Sequence, residues 1–486
     1  MRKLLLGSAA VALGLSLAAP AQAQDGVNLD VGGHLKGYVT WSDSDTNVDL
    51  DNLDNDGDIT TGTDDDRDFD ILRETEIHFT GETTLDNGLT VGVHVETDLD
   101  NNVAVGPADE DMQVEESYAY FSGAWGRFNM GKEDGAAYLL QVSAPSADSN
   151  IDGLRQYVQP INYMAGDITV GEDAAGATAF GLFNQGNFTG TQFDVDNDGA
   201  AANNLVVSAN NEFDPNTNVV NPMNTTGLTS VISDVTRFDY DQAQAGFDNK
   251  LTYMTPVFNG FQAGVSYTPD VDEGTRGLNG TGQNDLATNF GEAWEISARY
   301  EGQFEGLGIA FGGAYSEVDL EEEIGDTNAD GNEDGVVAFT DVNGNGTLDF
   351  GTDTDLIRMA DKEAWNVGLD LDWQAFGLGG AYIEEEAGFG GAFEADTWTI
   401  GLDYTTGPFK LGANYYNQDR DFFDVAEIET ERWSGGVVYT YGPGMTFRGS
   451  LNYTDVEAPT FGSAANEDNT QDQDTTSVLL GTQINF

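Results

Sequence analysis

From Val27 to Phe486 the chain repeats one pattern, segments of about ten residues in which apolar or aromatic positions alternate with polar or small ones. Val31, Gly33, Leu35, Gly37, Val39, Trp41 is one such row; Trp365, Val367, Leu369, Leu371, Trp373 and Val478, Leu480, Thr482, Ile484, Phe486 are others. A period of two predicts strands with one apolar face. Sixteen segments are expected to start near residues 27, 67, 87, 111, 124, 246, 258, 290, 305, 361, 375, 394, 407, 429, 444 and 474. Their connections alternate. Short ones such as Asp86-Asn87-Gly88, Phe258-Asn259-Gly260 and Thr406-Gly407-Pro408 carry tight-turn chemistry. Long ones (42–66, 100–110, 134–245, 270–289, 318–360, 387–393, 420–428 and 457–473) hold most of the Asp and Asn. A sandwich or propeller buries apolar faces against protein. Here aromatics sit at the row ends, the count is even and the two rims differ. These features predict an all-β fold: a transmembrane antiparallel β-barrel of 16 strands, apolar outside and wet inside, with short periplasmic turns and long acidic extracellular loops. Sixteen strands leave an aqueous channel.

Composition narrows the partners. Of 486 residues, 18 are Lys or Arg and 85 are Asp or Glu, a net charge of −67, which excludes nucleic acid as a partner. The absence of Cys excludes disulfides, thiolate metal sites and a cysteine nucleophile. Residues 1–23 read as an export signal: Arg2 and Lys3, the apolar stretch Leu4 to Leu17, then Ala21-Gln22-Ala23 for cleavage. The apolar run is short for a membrane anchor. Removing Arg2 and Lys3 with the signal takes the charge from −67 to −69 and leaves residues 24–486 as a single barrel.

Ser117-Tyr118-Ala119-Tyr120-Phe121-Ser122-Gly123-Ala124-Trp125-Gly126-Arg127-Phe128-Asn129-Met130-Gly131-Lys132 resembles the fourth-to-fifth-strand hairpin of Gram-negative general porins. The stretch from Lys250 to Pro269 resembles their sixth-to-seventh, and Ile484-Asn485-Phe486 their C-terminal aromatic. The resemblance implies a homotrimeric, water-filled diffusion pore in the outer membrane, set among lipid and lipopolysaccharide. It also implies a C-terminal Phe486 read by the barrel-assembly machinery, and a loop between strands 5 and 6 folded into the channel as a constriction. Here that loop, 134–245, is far longer than in the family.

Parity read outward from the apolar rows puts six basic residues on the lumen side: Lys36, Arg127, Lys250, Arg299, Lys410 and Arg448. Facing lipid at mid-depth, each would cost roughly 2–4 kcal/mol. The resemblance implies that such residues oppose carboxylates at the constriction; Asp148 and Asp152, with Glu133 and Asp134, are the candidates. Local pairing with lumen acids is the blander reading. The acidic mouth favours cations and the basic wall opposes it.

All three histidines, His34, His78 and His94, share lumen parity. A turn centred near Asp86 pairs His78 with His94, Glu76 with Glu96 and Glu74 with Asp98. That ladder suits a divalent metal or a titrating gate, or is ordinary lumen lining. Asp341-Val342-Asn343-Gly344-Asn345-Gly346, with Asp349, has calcium-loop spacing. So has Asp330-Gly331-Asn332-Glu333-Asp334-Gly335, whose twelfth position is Asp341. Asp194, Asp196, Asp198 and Asn52, Asp54, Asp56 are weaker copies. Calcium ordering of these loops stands against plain solvated acidic loops. A barrel phospholipase needs a Ser–His pair facing outward, and no His does. The expected function is passive diffusion of small hydrophilic solutes and ions; a solute-specific channel and a calcium-stabilised surface-structural or adhesive barrel are the alternatives.

Overall fold

The period-two rows form strands, and strands can satisfy every backbone group in lipid only by closing into a barrel. The computed structural model describes residues 27–49, 59–60, 69–99, 113–148, 150–158, 169–170, 191–193, 205–207, 238–271, 290–320, 361–386, 394–422, 426–459 and 470–486. Sixteen strands form one closed antiparallel barrel. They are β1 Asn28–Asp49, β2 Phe69–Thr84, β3 Thr90–Asp98, β4 Gln113–Gly123, β5 Gly126–Lys132, β6 Asn249–Met254, β7 Phe261–Thr268 and β8 Phe290–Phe304. There follow β9 Leu307–Leu320, β10 Lys362–Trp373, β11 Phe376–Glu386, β12 Glu394–Thr406, β13 Phe409–Phe422, β14 Ala426–Gly442, β15 Met445–Pro459 and β16 Thr470–Asn485. The expected count holds, and so do the starts, within four residues. Neighbours pair in sequence, and β1 closes on β16 with Lys36 opposite Gln483. Gly33 and Phe486 exchange both backbone hydrogen bonds at 3.1 Å, sealing the seam.

Several strands outrun the apolar pattern. β1 continues to Asp49, paired with the start of β16 at Thr470. Lipid-facing alternation stops there, but ladder hydrogen bonds need no apolar face once the hairpin stands in water. The short connections are tight turns. Glu305 and Gly306 both take positive φ (50° and 89°), the primed geometry that matches strand twist.

Outward faces carry two aromatic belts. Nearer the short turns stand Phe261 against Tyr300, Phe376 against Tyr404 and Phe409 against Tyr439, centroids 4.6–4.9 Å apart. Further up stand Tyr267 against Trp294 and Tyr415 against Trp433, at 4.4 and 4.5 Å. Exposed Ile296, Ile400, Leu402 and Leu411 lie between them. This is a lipid band flanked by interfacial girdles. No helix among the described residues is long and apolar enough to cross a membrane; the strands cross. Inside, apolar packing occurs where one loop meets the wall, as in the cluster of Ile151, Leu154, Phe238 and Tyr240 with Ala381, Ile383 and Tyr416.

Candidate functional site

After β5 the chain turns inward. A single helical turn, α1 (Ala136–Leu139), is fastened to the wall: the Ala136 amide donates to Ser266 Oγ (2.8 Å) and Ser297 Oγ donates to Ala136 O (2.6 Å). The loop then runs flush along the barrel because the wall there is glycine. Added Cβ atoms at Gly264, Gly312, Gly368, Gly379, Gly401, Gly412 and Gly436 would meet, in turn, Ala136, Val142, Val142, Pro145, Pro145, Ala147 and Ala147. These glycines sit on β7 and on β9 to β14, so the loop covers that arc of wall. Among the described residues no glycine of β2–β4 meets it.

At Asp148 the loop is locked. Arg432 on β14, 1% exposed, donates to Asp148 Oδ2 (3.1 Å) and to Gln156, while Ser450 Oγ donates to Asp148 Oδ1 (3.2 Å). A small hairpin of Ile151–Asp152 and Arg155–Gln156 follows, closed by the Val158 amide on Asn150 Oδ1 at 2.7 Å. Tyr157 and Val158 then reach β1, where Val158 packs with Tyr38 and Leu479. The returning segment 238–245 lies on the outgoing one. Gln141 and Gln242 act as clasps: Gln141 Nε2 donates to Tyr240 O (2.7 Å), the Gln242 amide to Gln141 Oε1 (2.9 Å), and Gln242 Nε2 to Ser316 Oγ (2.7 Å).

The expected constriction residues separate into groups. Lys36 and Lys250 point inward but are covered. Lys36 Nζ sits 2.8 Å from the Tyr157 ring centroid and 3.4 Å from Glu74; Lys250 Nζ donates to the Glu133 and Gly246 carbonyls at 2.5 Å. The constriction role expected for them is therefore corrected: both are buried beneath the loop and root it. Asp148 is likewise spent on Arg432. Arg299 holds the loop at Gln141 O (3.2 Å). Lys410 pairs with Asp403 at 3.0 Å, and Arg448 Nε donates to Thr446 Oγ1 at 3.1 Å, both close to the short turns. Arg127 lies 4.1 Å from the Tyr120 ring centroid and donates to Asn129 Oδ1 (2.7 Å). The Asp152 side chain lies outside the described residues. At the loop root Asp134 meets Arg155 at 3.5 Å and Glu133 accepts from Asn129 at 2.7 Å. Burial still pushes their carboxyls up, to about 6 for Asp134 against the pull of Arg155 and to about 7 for Glu133.

The wall that the glycine track leaves free carries the histidines. Their register differs from the expected one by two residues: His78 pairs with Glu96, His94 with Thr80 and Glu76 with Asp98. The turn spans Leu85 to Leu89, with the Leu85 amide on Leu89 O at 2.8 Å, so it centres on Asn87. The ladder survives as a diagonal. His34–His78 and His78–His94 ring centroids are 6.3 and 5.8 Å apart. Carboxylates interleave: His34 Nε2 to Glu74 is 2.7 Å, His78 Nε2 to Glu76 3.2 Å, His78 Nδ1 to Glu96 3.1 Å and His94 Nε2 to Glu116 3.6 Å. A bulge between Glu96 and Thr97 makes Glu115 an extra residue of β4 and brings its carboxylate to Glu76 and Glu96.

Sequence reading missed Arg432 and Arg155. Arg432 was legible, one position from outward Trp433. The inward glycines were legible too, as small residues at lumen parity in strand after strand. The candidate calcium residues Asp330, Asn332, Asp334, Asp341, Asn343, Asn345, Asp349, Asp194, Asp196, Asp198, Asn52, Asp54 and Asp56, and the signal 1–23, lie outside the described residues.

The sequence matches the Gram-negative porin family over residues 7–217 and 201–459. No curated protein matches it. An anion-selective porin from Comamonas acidovorans is 13% identical over 95% of this chain and 100% of its own, with a TM-score of 0.47. The loop L8 deletion mutant of OmpT, an outer membrane protein of Vibrio cholerae, gives 12%, 95%, 100% and 0.46. A mutant of the Rh. blastica porin gives 14%, 94%, 100% and 0.42. At such values these are likenesses only. The family match covers most of the chain, and with a closed, lipid-banded barrel of sixteen strands it makes this chain a member of the Gram-negative porin family, a channel of the outer membrane.

Proposed function

We propose that this channel is a cation-preferring diffusion pore for small hydrophilic solutes and ions, with no enzymatic role. Its passage runs between the β2–β4 wall and the loop clasped to the opposite arc. The observation that carries this is the bank of Glu76, Glu96, Asp98, Glu115 and Glu116 on β2–β4, while Asp134 and Asp148 of the loop are paired with Arg155 and Arg432. A narrow, low-dielectric passage lined by one sign of charge concentrates counter-ions. In a potassium chloride gradient the reversal potential should report cation preference that weakens with salt, since screening acts within about 10 Å at 0.1 M. Replacing Glu76, Glu96 and Glu116 together with Gln should move it towards zero. Anion selectivity of the unaltered chain would overturn the reading.

The homotrimer is part of the same proposal. β5, β6 and β7 have only 7, 6 and 8 residues, short of the roughly 9–11 that a tilted strand needs to cross a bilayer. A low wall is relieved by oligomerising. Unheated full-length protein should migrate as a trimer on gels, and cross-linkers placed at Met130 and Val265 should join protomers. Phe486, 60% exposed at the closing seam, is offered to the barrel-assembly machinery, and lipid and lipopolysaccharide surround the belts. Residues 1–23 are assigned as a removed signal. Calcium is assigned to the acidic loop 326–353, whose two motifs share Asp341. Chelator should hasten cleavage there, and Asp341→Ala should abolish the protection; cleavage indifferent to chelator would leave only a solvated loop.

A further inference from the structure

We propose that His34, His78 and His94 build two adjacent sites for a zinc-class divalent cation, sharing His78, so that one ion at a time occupies the wall. Two triads carry the ligands: His34 with Glu76 and His78, and His78 with Glu96 and His94. In each, one imidazole nitrogen or carboxylate oxygen per residue lies within 4.8 Å of the other two. Glu76 Oε2 is 3.5 Å from His34 Nδ1 and 3.2 Å from His78 Nε2. Glu96 Oε2 is 3.1 Å from His78 Nδ1 and 3.4 Å from His94 Nε2. Tetrahedral zinc with bonds near 2.1 Å separates its ligand atoms by about 3.4 Å. The carboxylate–imidazole spacings already match that, and rotation of the rings brings the nitrogens in.

Outer contacts prepare the lone pairs. Glu74 accepts from His34 Nε2 at 2.7 Å, so the proton stays on Nε2 and the Nδ1 lone pair is left for the metal. That is the carboxylate–histidine–metal arrangement. Thr80 Oγ1 sits 2.9 Å from His94 Nδ1, which fixes that ring with Nε2 towards Glu96. Two histidines and one carboxylate, with a fourth position open to water, form the donor set of zinc rather than of calcium or magnesium. The His78 side chain is 30% exposed, which gives an ion entry from the lumen.

His78 decides the stoichiometry. It turns Nε2 to one triad and Nδ1 to the other. A neutral imidazole has one lone pair and one N–H. Filling both sites needs an imidazolate, so the first ion excludes the second and passes to it by a flip of the His78 tautomer.

Binding is independent of where the passage runs; only the current readout rests on the proposed pore. Refolded full-length protein in detergent, with millimolar calcium present to saturate acidic loops, is dialysed against zinc chloride. One zinc per chain should bind beyond that taken by the His34→Gln/His78→Gln/His94→Gln variant. His34→Gln and His94→Gln should each keep one ion within about threefold of the original affinity, since one triad remains. His78→Gln should lose affinity by more than the roughly 10–100-fold that loss of an outer contact costs, having lost a direct ligand from both. Cobalt in place of zinc should give tetrahedral visible absorption. Heat-modified gel mobility shows that each variant is folded. No zinc beyond the triple variant, two ions per chain, or His78→Gln equal to the unaltered chain overturns the proposal. Bound zinc should also lower cation current in bilayers. Stoichiometric binding with unchanged current would uphold the site and overturn the passage.

Discussion

Arg432→Met will free the constriction loop while leaving the barrel closed. The guanidinium is the charge partner of Asp148, which keeps only Ser450 Oγ and the Asn150 amide, at 3.2 and 2.8 Å, without it. Leaving one member of a buried ion pair costs about 3–5 kcal/mol, because the remaining charge has neither water nor a counter-charge. The same change removes the Gln156 contact, and with it part of the hold on the 151–156 hairpin. Cleavage between residues 134 and 158 of the folded protein should therefore accelerate by at least tenfold. The strands should keep their heat-modified mobility, since no ladder hydrogen bond is touched. Adding Asp148→Asn should recover much of the loss, as both charges then go together. Unchanged cleavage in the single variant would mean that the clasps at Gln141 and Gln242 suffice.

The second large effect comes from the glycine track. Cβ atoms at Gly401 and Gly436 would fall inside the carbonyl oxygens of Pro145 and Ala147. Those contacts are backbone, so no rotamer relieves them. Gly401→Val with Gly436→Val should cost the docked loop about 1–3 kcal/mol per site, the usual range for overpacking. Single-channel conductance should rise and become noisier as the loop lifts from the wall. Gly435→Ala is the control: its Cβ has open space, and conductance should not change. Equal behaviour of the pair and the control would show that the loop does not limit the current.

The strands were legible because lipid and water impose the period directly. Trp365, Leu369 and Trp373 alternate with Ala364, Asn366 and Gly368 whatever lies elsewhere in the chain. Even count and rim asymmetry then follow from hairpin connectivity. The histidine register was less legible. Asp86-Asn87-Gly88 named the turn, but parity survives a slip of two residues, so only the Leu85–Leu89 hydrogen bond separates His78–His94 from His78–Glu96 pairing. Parity also put Lys36 and Lys250 correctly inside, yet it carries no information about what covers an inward residue.

What the sequence determined by itself is the barrel: its sixteen strands, its lipid face, its short and long rims and its outer-membrane setting. Each of these rests on local alternation and turn chemistry, which neighbours in the chain decide. Which inward groups meet the passage is settled by tertiary contacts alone. Asp148 and Arg432 are 284 residues apart, and the Pro145 carbonyl meets Gly401 across the lumen wall. Those pairings depend on where one loop lies against distant strands, and no periodicity encodes a contact between segments so far apart. The loop therefore took basic residues of the wall for its own anchorage and left carboxylates and histidines of β2–β4 to face the channel.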